Sequence, residues 1–144
     1  MNKISRRNFL KRSAALLAAP AILKYTSAYA ANPVIKVGHV SPRTGPLAGF
    51  AEADEYVLKA IKQAFASGIA NNGKNYSIEI ISKDSQSNPN RAASVAADLI
   101  LGDEVDIIFA ASTPDTVNPV SDQAEVNGVP CITTDCPWQP YFFG

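Results

Sequence analysis

Val105-Asp106-Ile107-Ile108-Phe109-Ala110 runs into Ala111-Ser112-Thr113-Pro114-Asp115. The helical pattern that follows stops at Asn127-Gly128, directly before Val129-Pro130-Cys131-Ile132-Thr133-Thr134. A mostly apolar run, a small polar loop, a short helix and a second β-branched run at this spacing predict a right-handed βαβ unit in a parallel sheet. The polar residues between the first strand and its helix then lie at the carboxyl end of the sheet. Open α/β sheets bind small molecules there.

The same alternation repeats upstream. Val34-Ile35-Lys36-Val37-Gly38-His39-Val40 reads as a first strand, and Ser41-Pro42-Arg43-Thr44-Gly45-Pro46 as a turn-rich loop. From Glu52 the pattern turns helical, with Val57, Ile61, Ala64 and Phe65 on one face. Glu52, Asp54 and Glu55 sit in its first turn and Lys59 and Lys62 later, as the helix dipole prefers, and Gly68 is the stop. Asn71-Asn72-Gly73-Lys74 predicts a turn, and Tyr76-Ser77-Ile78-Glu79-Ile80-Ile81 a second strand. After the loop Lys83 to Asn88, Asn88 as N-cap and Pro89 at the first helical position open a helix. Its apolar face is Ala92, Val95, Ala96 and Leu99, and it ends at Gly102. For the third helix, Thr113-Pro114, Asp115 and Asn118-Pro119 each offer a start, and Asp115 or Asn118 is the expected cap, since Pro119 deep inside a helix would cost about 3 kcal/mol. Either start leaves Ser112 and Thr113 in the loop.

The fold class is therefore α/β: a Rossmann-like parallel sheet, βαβαβαβ, with helices on both faces. In such a sheet the first and third strands are neighbours and the chain turns outward from them in opposite directions. Arg43, Thr44 and Phe50 would look across this switch point at Ser112 and Thr113, with Asp135 to Trp138 nearby.

Residues 1–30 have a different character. Arg6-Arg7-Asn8-Phe9-Leu10-Lys11, an apolar run from Ala14 to Leu23 and the small-residue end Ala28-Tyr29-Ala30 follow one another in the order of an export signal. The paired Arg6 and Arg7 resemble a twin-arginine signal, and cleavage would fall between Ala30 and Ala31. A basic amphipathic helix on a cytosolic protein is the competing reading. Although the whole chain has no net charge, all thirteen acidic residues lie from Glu52 onward, whereas only seven of the thirteen basic ones lie after Ala30. Residues 31–144 are thus acidic by about six charges. Such a body lacks the basic patch that nucleic acid or an anionic membrane surface requires.

At this point the chain resembles a known family. Ile35-Lys36-Val37-Gly38 with Ser41-Pro42-Arg43-Thr44-Gly45-Pro46-Leu47-Ala48, then Lys83-Asp84-Ser85-Gln86-Ser87-Asn88-Pro89, then Pro119-Val120-Ser121-Asp122 through Asn127-Gly128-Val129-Pro130 are similar to the periplasmic solute-binding proteins of branched-chain amino acid ABC transporters. The resemblance implies a two-lobed receptor that closes on an amino acid or small carboxylate and delivers it to a membrane permease. It implies a pocket aromatic at Phe50, carboxylate capture by Ser112 and Thr113, and a contribution from Asp135-Cys136-Pro137-Trp138. Arg43, where relatives more often carry an apolar residue, and Trp138, in a loop that is small in amino-acid binders, together suggest a larger or aromatic carboxylate.

Each of these residues also has a plainer role. Ser112 and Thr113 suit anion capture because hydroxyls and helix N-terminal N–H groups converge there, and they equally suit capping of the third helix. Arg43 pairs with a carboxylate or is a solvated loop charge. Phe50 and Trp138 stack on a ligand or pack in an interface. His39, the only histidine, reads as structural. Cys131 and Cys136 lack zinc-site spacing, and a disulfide and separate thiols are both compatible with export.

No G-x-G-x-x-G and no G-K-[ST] follows the first strand, and one histidine supports no nucleophile and base pair, so neither a cofactor nor catalysis is expected. The rival readings are a small flavodoxin-like or nucleotide-binding enzyme and a sensory ligand-binding domain of the same fold. The aromatic-rich end, Trp138-Gln139-Pro140-Tyr141-Phe142-Phe143-Gly144, and the second lobe that relatives need make an incomplete first lobe the expectation. A one-domain protein that dimerises through that end is the alternative.

Overall fold

The computed structural model describes residues 32–137, so Arg6, Arg7, Ala30, Ala31 and Trp138 lie outside the described residues. Five strands alternate with three α-helices: β1 (Val34–Ser41), α1 (Asp54–Ala64), β2 (Ile69–Asn71), β3 (Lys74–Asp84), α2 (Pro89–Ala97), β4 (Ile107–Ala111), α3 (Pro114–Asn127) and β5 (Cys131–Thr134). A 3₁₀ turn (Ala48–Ala51) precedes α1, and a π-helical segment (Asp98–Gly102) prolongs α2. The sheet order is β2-β3-β1-β4-β5. All pairings are parallel except β2 with β3. With β1 between β3 and β4, the chain leaves β1 toward one edge and β4 toward the other, which is the predicted switch point.

Most local signals act as read. Asn88 caps α2 by accepting the Arg91 N–H at 2.9 Å, with Pro89 in the first turn. Gly128 ends α3 in the left-handed conformation, φ 68°. Three elements differ. The Asn72-Gly73 turn, with both residues at positive φ, is the tip of a hairpin that adds the short exposed strand β2. The strand read over Tyr76 to Ile81 extends from Lys74 to Asp84. And α3 starts at Pro114 rather than at Asp115 or Asn118, keeping Pro119 inside it. The earlier start lets Thr116, Val117, Val120 and Ala124 bury one face of α3. Thr113 O already accepts the Thr116 and Val117 N–H groups. Packing of that face outweighs the single backbone hydrogen bond that Pro119 cannot donate.

The core lies on one side of the sheet. Val40, Ile108 and Ala110 from β1 and β4 meet Ala92, Val95, Ala96 and Leu99 of the α2 region and Val117, Val120 and Ala124 of α3. On the other side stands α1, none of whose residues is buried. Its Val57 and Phe65, expected to face the sheet, are 46% and 41% exposed. They and Leu58 and Ile61 line a cavity of about 480 Å³ whose opposite wall is Ile35, Val37, Ile78, Ile80 and Phe109 of the sheet.

Candidate functional site at the carboxyl edge of the sheet

Three loops meet where β1, β3 and β4 end. The first, after β1, carries Arg43, Thr44 and, on its 3₁₀ turn, Phe50. Rather than facing β4, it is fastened to the loop after β3. Thr44 donates its N–H to Asp84 Oδ1 at 3.2 Å and its hydroxyl to Asp84 Oδ2 at 2.7 Å. Ser87 Oγ donates to Thr44 O at 2.7 Å and accepts the Leu47 N–H at 3.0 Å. Gly45 sits at φ +90°, and a Cβ there would lie 2.7 Å from Ser87 Oγ, so only glycine allows this approach.

The loop after β3 is also tied to the β4 side. Ser85 Oγ, fully buried, shares a 2.9 Å hydrogen bond with Thr116 Oγ1 of α3. Thr113 Oγ1 donates to the same Thr116 oxygen at 3.3 Å. Sequence reasoning placed the site between the first and third of these loops and missed the residues that join them, Asp84, Ser85, Ser87 and Thr116. Their only sequence signal is a density of short hydroxyl and acidic side chains in Asp84-Ser85-Gln86-Ser87.

Backbone strain concentrates at this edge. Gln86 (φ 54°), Ser87 (φ 53°), Ser112 (φ 88°) and Asp135 (φ 59°) are non-glycine residues at positive φ. Such conformations cost about 1 to 3 kcal/mol each and persist where the surroundings impose them, commonly at binding sites. Ser112 is 7% exposed, and its N–H donates to Thr134 O at 3.2 Å. Its hydroxyl has no partner among the described residues. Ser41 Oγ, at the end of the neighbouring β1, is likewise buried and unpartnered among them. Two uncommitted hydroxyls thus lie at the switch point, that of Ser41 at the end of β1 and that of Ser112 just past β4 and two residues before α3. Pro114 there offers no N–H.

The other named residues fall as follows. Arg43 is exposed and its Nη2 lies 3.5 Å from Ser82 O, back along β3. Thr44 has its hydroxyl hydrogen committed to Asp84, which leaves only lone pairs for a ligand. Thr113 is similarly committed to Thr116. Phe50 is 61% exposed and Asp135 is exposed in the loop after β5. Among the described residues no hydrogen bond joins Arg43 or Thr44 to Ser112 or Thr113.

Asp84 feels two opposing influences. Burial alone would push its carboxyl up, but hydrogen bonds from the Thr44 hydroxyl and the N–H groups of Gln86, Thr44 and Arg43 hold it below the ordinary aspartate value. Cys131 and Cys136 are free thiols, both raised by burial, for Cys131 against a hydrogen bond with Ser121.

A mostly parallel sheet with polar, strained loops gathered at its carboxyl edge is an arrangement at which open α/β folds bind small molecules. A family model described as periplasmic binding protein matches residues 34–143, and this chain belongs to that family. Among solved structures it is similar to the branched-chain amino acid transporter substrate-binding protein LivJ from Streptococcus pneumoniae, in complex with isoleucine. There the identity is 28%, the TM-score 0.60, and the match covers 72% of this chain and 29% of that one. It is also similar to a solute-binding protein of an ABC transporter from Rhodopseudomonas palustris, in complex with 3,4-dihydroxybenzoic acid. The identity is 26%, the TM-score 0.61, and the coverage 72% of this chain and 27% of that one. The fold is shared with a further R. palustris solute-binding protein in complex with 4-hydroxybenzoate, at 21% identity, TM-score 0.58, and coverage of 69% and 26%. The chain spans under a third of the length of these proteins. No curated protein sequence matches it.

Proposed function

We propose that this chain forms the first lobe of the substrate-binding component of an ABC importer and takes an amino acid or a related small carboxylate, with an aromatic carboxylate favoured. The observation that carries this reading is Ser112: buried, held at φ 88° and with an uncommitted hydroxyl, at the switch point of the sheet. A hydroxyl kept free in a strained loop is available to a ligand oxygen. Isoleucine in one relative and 3,4-dihydroxybenzoic acid in another span the two ligand classes. Arg43 and Trp138 favour the aromatic one, by charge and by stacking. Thr113 and Thr44, whose hydroxyl hydrogens are committed to Thr116 and Asp84, support the site by fixing its loops, and Phe50 and Asp135 stand exposed at its rim. The reading is of a non-enzymatic receptor that hands its solute to a membrane permease.

Titration calorimetry of the two-lobed receptor carrying these residues, with 3,4-dihydroxybenzoate and with isoleucine, tests it. Ser112→Ala is expected to weaken binding by about 1 to 3 kcal/mol, the usual loss for a hydrogen bond to a charged group. Thr113→Ala is expected to lose less. Unchanged affinity in both variants would move the site elsewhere, and stabilisation by nucleotides alone would favour the enzyme alternative. Periplasmic delivery is read through Arg6 and Arg7 as a twin-arginine signal cleaved between Ala30 and Ala31. N-terminal sequencing of the exported protein checks this, with Ala31 expected first.

A further inference from the structure

Asp84 is the last residue of β3 and lies opposite Ser41 in the β1 register. Its bond from the Gln86 N–H, 2.8 Å to Oδ1, is the local two-residue turn that aspartate often makes. Its bonds from the Thr44 N–H and hydroxyl are not local, because they cross forty residues of sequence. One carboxylate therefore clamps the start of the loop after β1 to the start of the loop after β3.

The clamp continues toward the rim. Beyond Thr44, Gly45 packs on Ser87, Ser87 Oγ accepts the Leu47 N–H, and Leu47 O accepts the Phe50 N–H at 3.0 Å. The backbone position of the exposed Phe50 is thus tied to a run of contacts that begins at Asp84. We propose that Asp84 is the positioning residue of this site, its carboxylate presetting the first loop and Phe50 to receive the solute; this rests on the ligand-site reading above. The chemistry favours a carboxylate. Its charge strengthens every bond it accepts from Thr44 and Gln86, whereas an asparagine, even with its NH₂ donating to the Thr44 hydroxyl, leaves one neutral oxygen for the two N–H groups.

The test uses the full chain and its Asp84→Asn and Thr44→Val variants. Amide NMR of Asp84→Asn is expected to move the Thr44 and Gln86 proton signals upfield and to speed hydrogen exchange at Thr44 and Leu47 by about tenfold or more, the factor that follows from losing one charge-assisted bond. Asp106→Asn is the control. That carboxylate accepts the Lys36 N–H at the other end of β1 and is expected to leave both signals in place. Binding of 3,4-dihydroxybenzoate by the two-lobed receptor carrying these residues, read by ligand-observed NMR, is expected to weaken in Asp84→Asn and, by a smaller factor, in Thr44→Val. Should Asp84→Asn fail to fold, Thr44→Val removes the long-range hydroxyl bond alone and carries the same readouts. Unchanged exchange at Thr44 and Leu47 would overturn the clamp. Faster exchange with unchanged probe affinity would overturn the positioning role. A wild-type two-lobed receptor carrying these residues that binds neither this probe nor isoleucine would overturn the ligand-site reading, and the positioning role with it, while the amide signals would still report the clamp separately.

Discussion

The two faces of the sheet are built from the same kinds of residue and end in different states. On the α2 and α3 side, Val40, Val95, Leu99, Ile108, Val117 and Val120 are all 1% exposed or less. On the α1 side an equally apolar surface, Ile35, Val37, Ile78, Ile80 and Phe109, faces a void of about 480 Å³. The difference lies in the helices. Two helices with small residues on their inner faces, Ala92, Ala96 and Ala124, approach β1 and β4 closely. Among the described residues that face is covered by the one helix bearing Val57, Leu58 and Ile61, which stands off the sheet across the cavity. The α2 and α3 side therefore holds the fold together and also anchors the site, since Ser85 and Thr116 join loop to helix there.

The comparison is broken most directly by matched truncations. Leu99→Ala removes a fully buried side chain from close-packed surroundings and is expected to lower stability by about 2 to 5 kcal/mol. Ile61→Ala removes a side chain that already borders the void, leaves little new cavity, and is expected to stay below about 1.5 kcal/mol. Urea unfolding of both variants measures the contrast. Equal losses would mean that the α1 face is packed as tightly in solution as its opposite.

A smaller effect is expected at the boundary between the packed side and the loops. Gly45→Ala places a methyl group at φ +90° against Ser87 and the Gln86 carbonyl, 2.7 and 2.8 Å away. Strain of this kind is worth about 1 to 3 kcal/mol. Its local sign is faster hydrogen exchange at Leu47 with unchanged exchange in α3. Uniform loosening of both would show that the loop cluster and the packed face unfold as one unit.

Much of this architecture was legible in the sequence, for a physical reason. The α/β alternation, the cap at Asn88, the stop at Gly128 and the inner face Ala92, Val95, Ala96 and Leu99 are each written within one or two helical turns of chain. What stayed hidden depends on partners far away in sequence. The start of α3 at Pro114 is decided by burial of Thr116 and Val117, and the exposure of Val57 and Phe65 by how far α1 stands from the sheet. At the site, hydroxyl chemistry marked Ser112 and Thr113. Only the folded chain shows that the Thr113 and Thr44 protons are already committed while that of Ser112 is not, and that Asp84 is the joint.

The smallest expected effect concerns pH and sits on the open face. His39 Nδ1 lies 2.9 Å from Ser82 Oγ, and its Nε2 lies 3.9 Å from Asp54 Oδ2 at the start of α1. This is a polar tether between the sheet and the helix that stands off it. Burial lowers the His39 pKa from 6.5; Asp54 acts to raise it and Arg43 to lower it further, and burial prevails. The folded state therefore binds this proton less readily than the unfolded chain does. The stability that neutral His39 contributes is present above pH 6.5 and is lost as pH falls from there through the lowered folded value. Between pH 7.5 and 5.5 the urea midpoint is expected to fall slightly. His39→Gln, which keeps a hydrogen-bonding side chain but cannot titrate, is expected to flatten that dependence. A midpoint that rises on acidification would mean that attraction to Asp54 outweighs burial, and that α1 is held to the sheet more firmly by charge than by its apolar side chains.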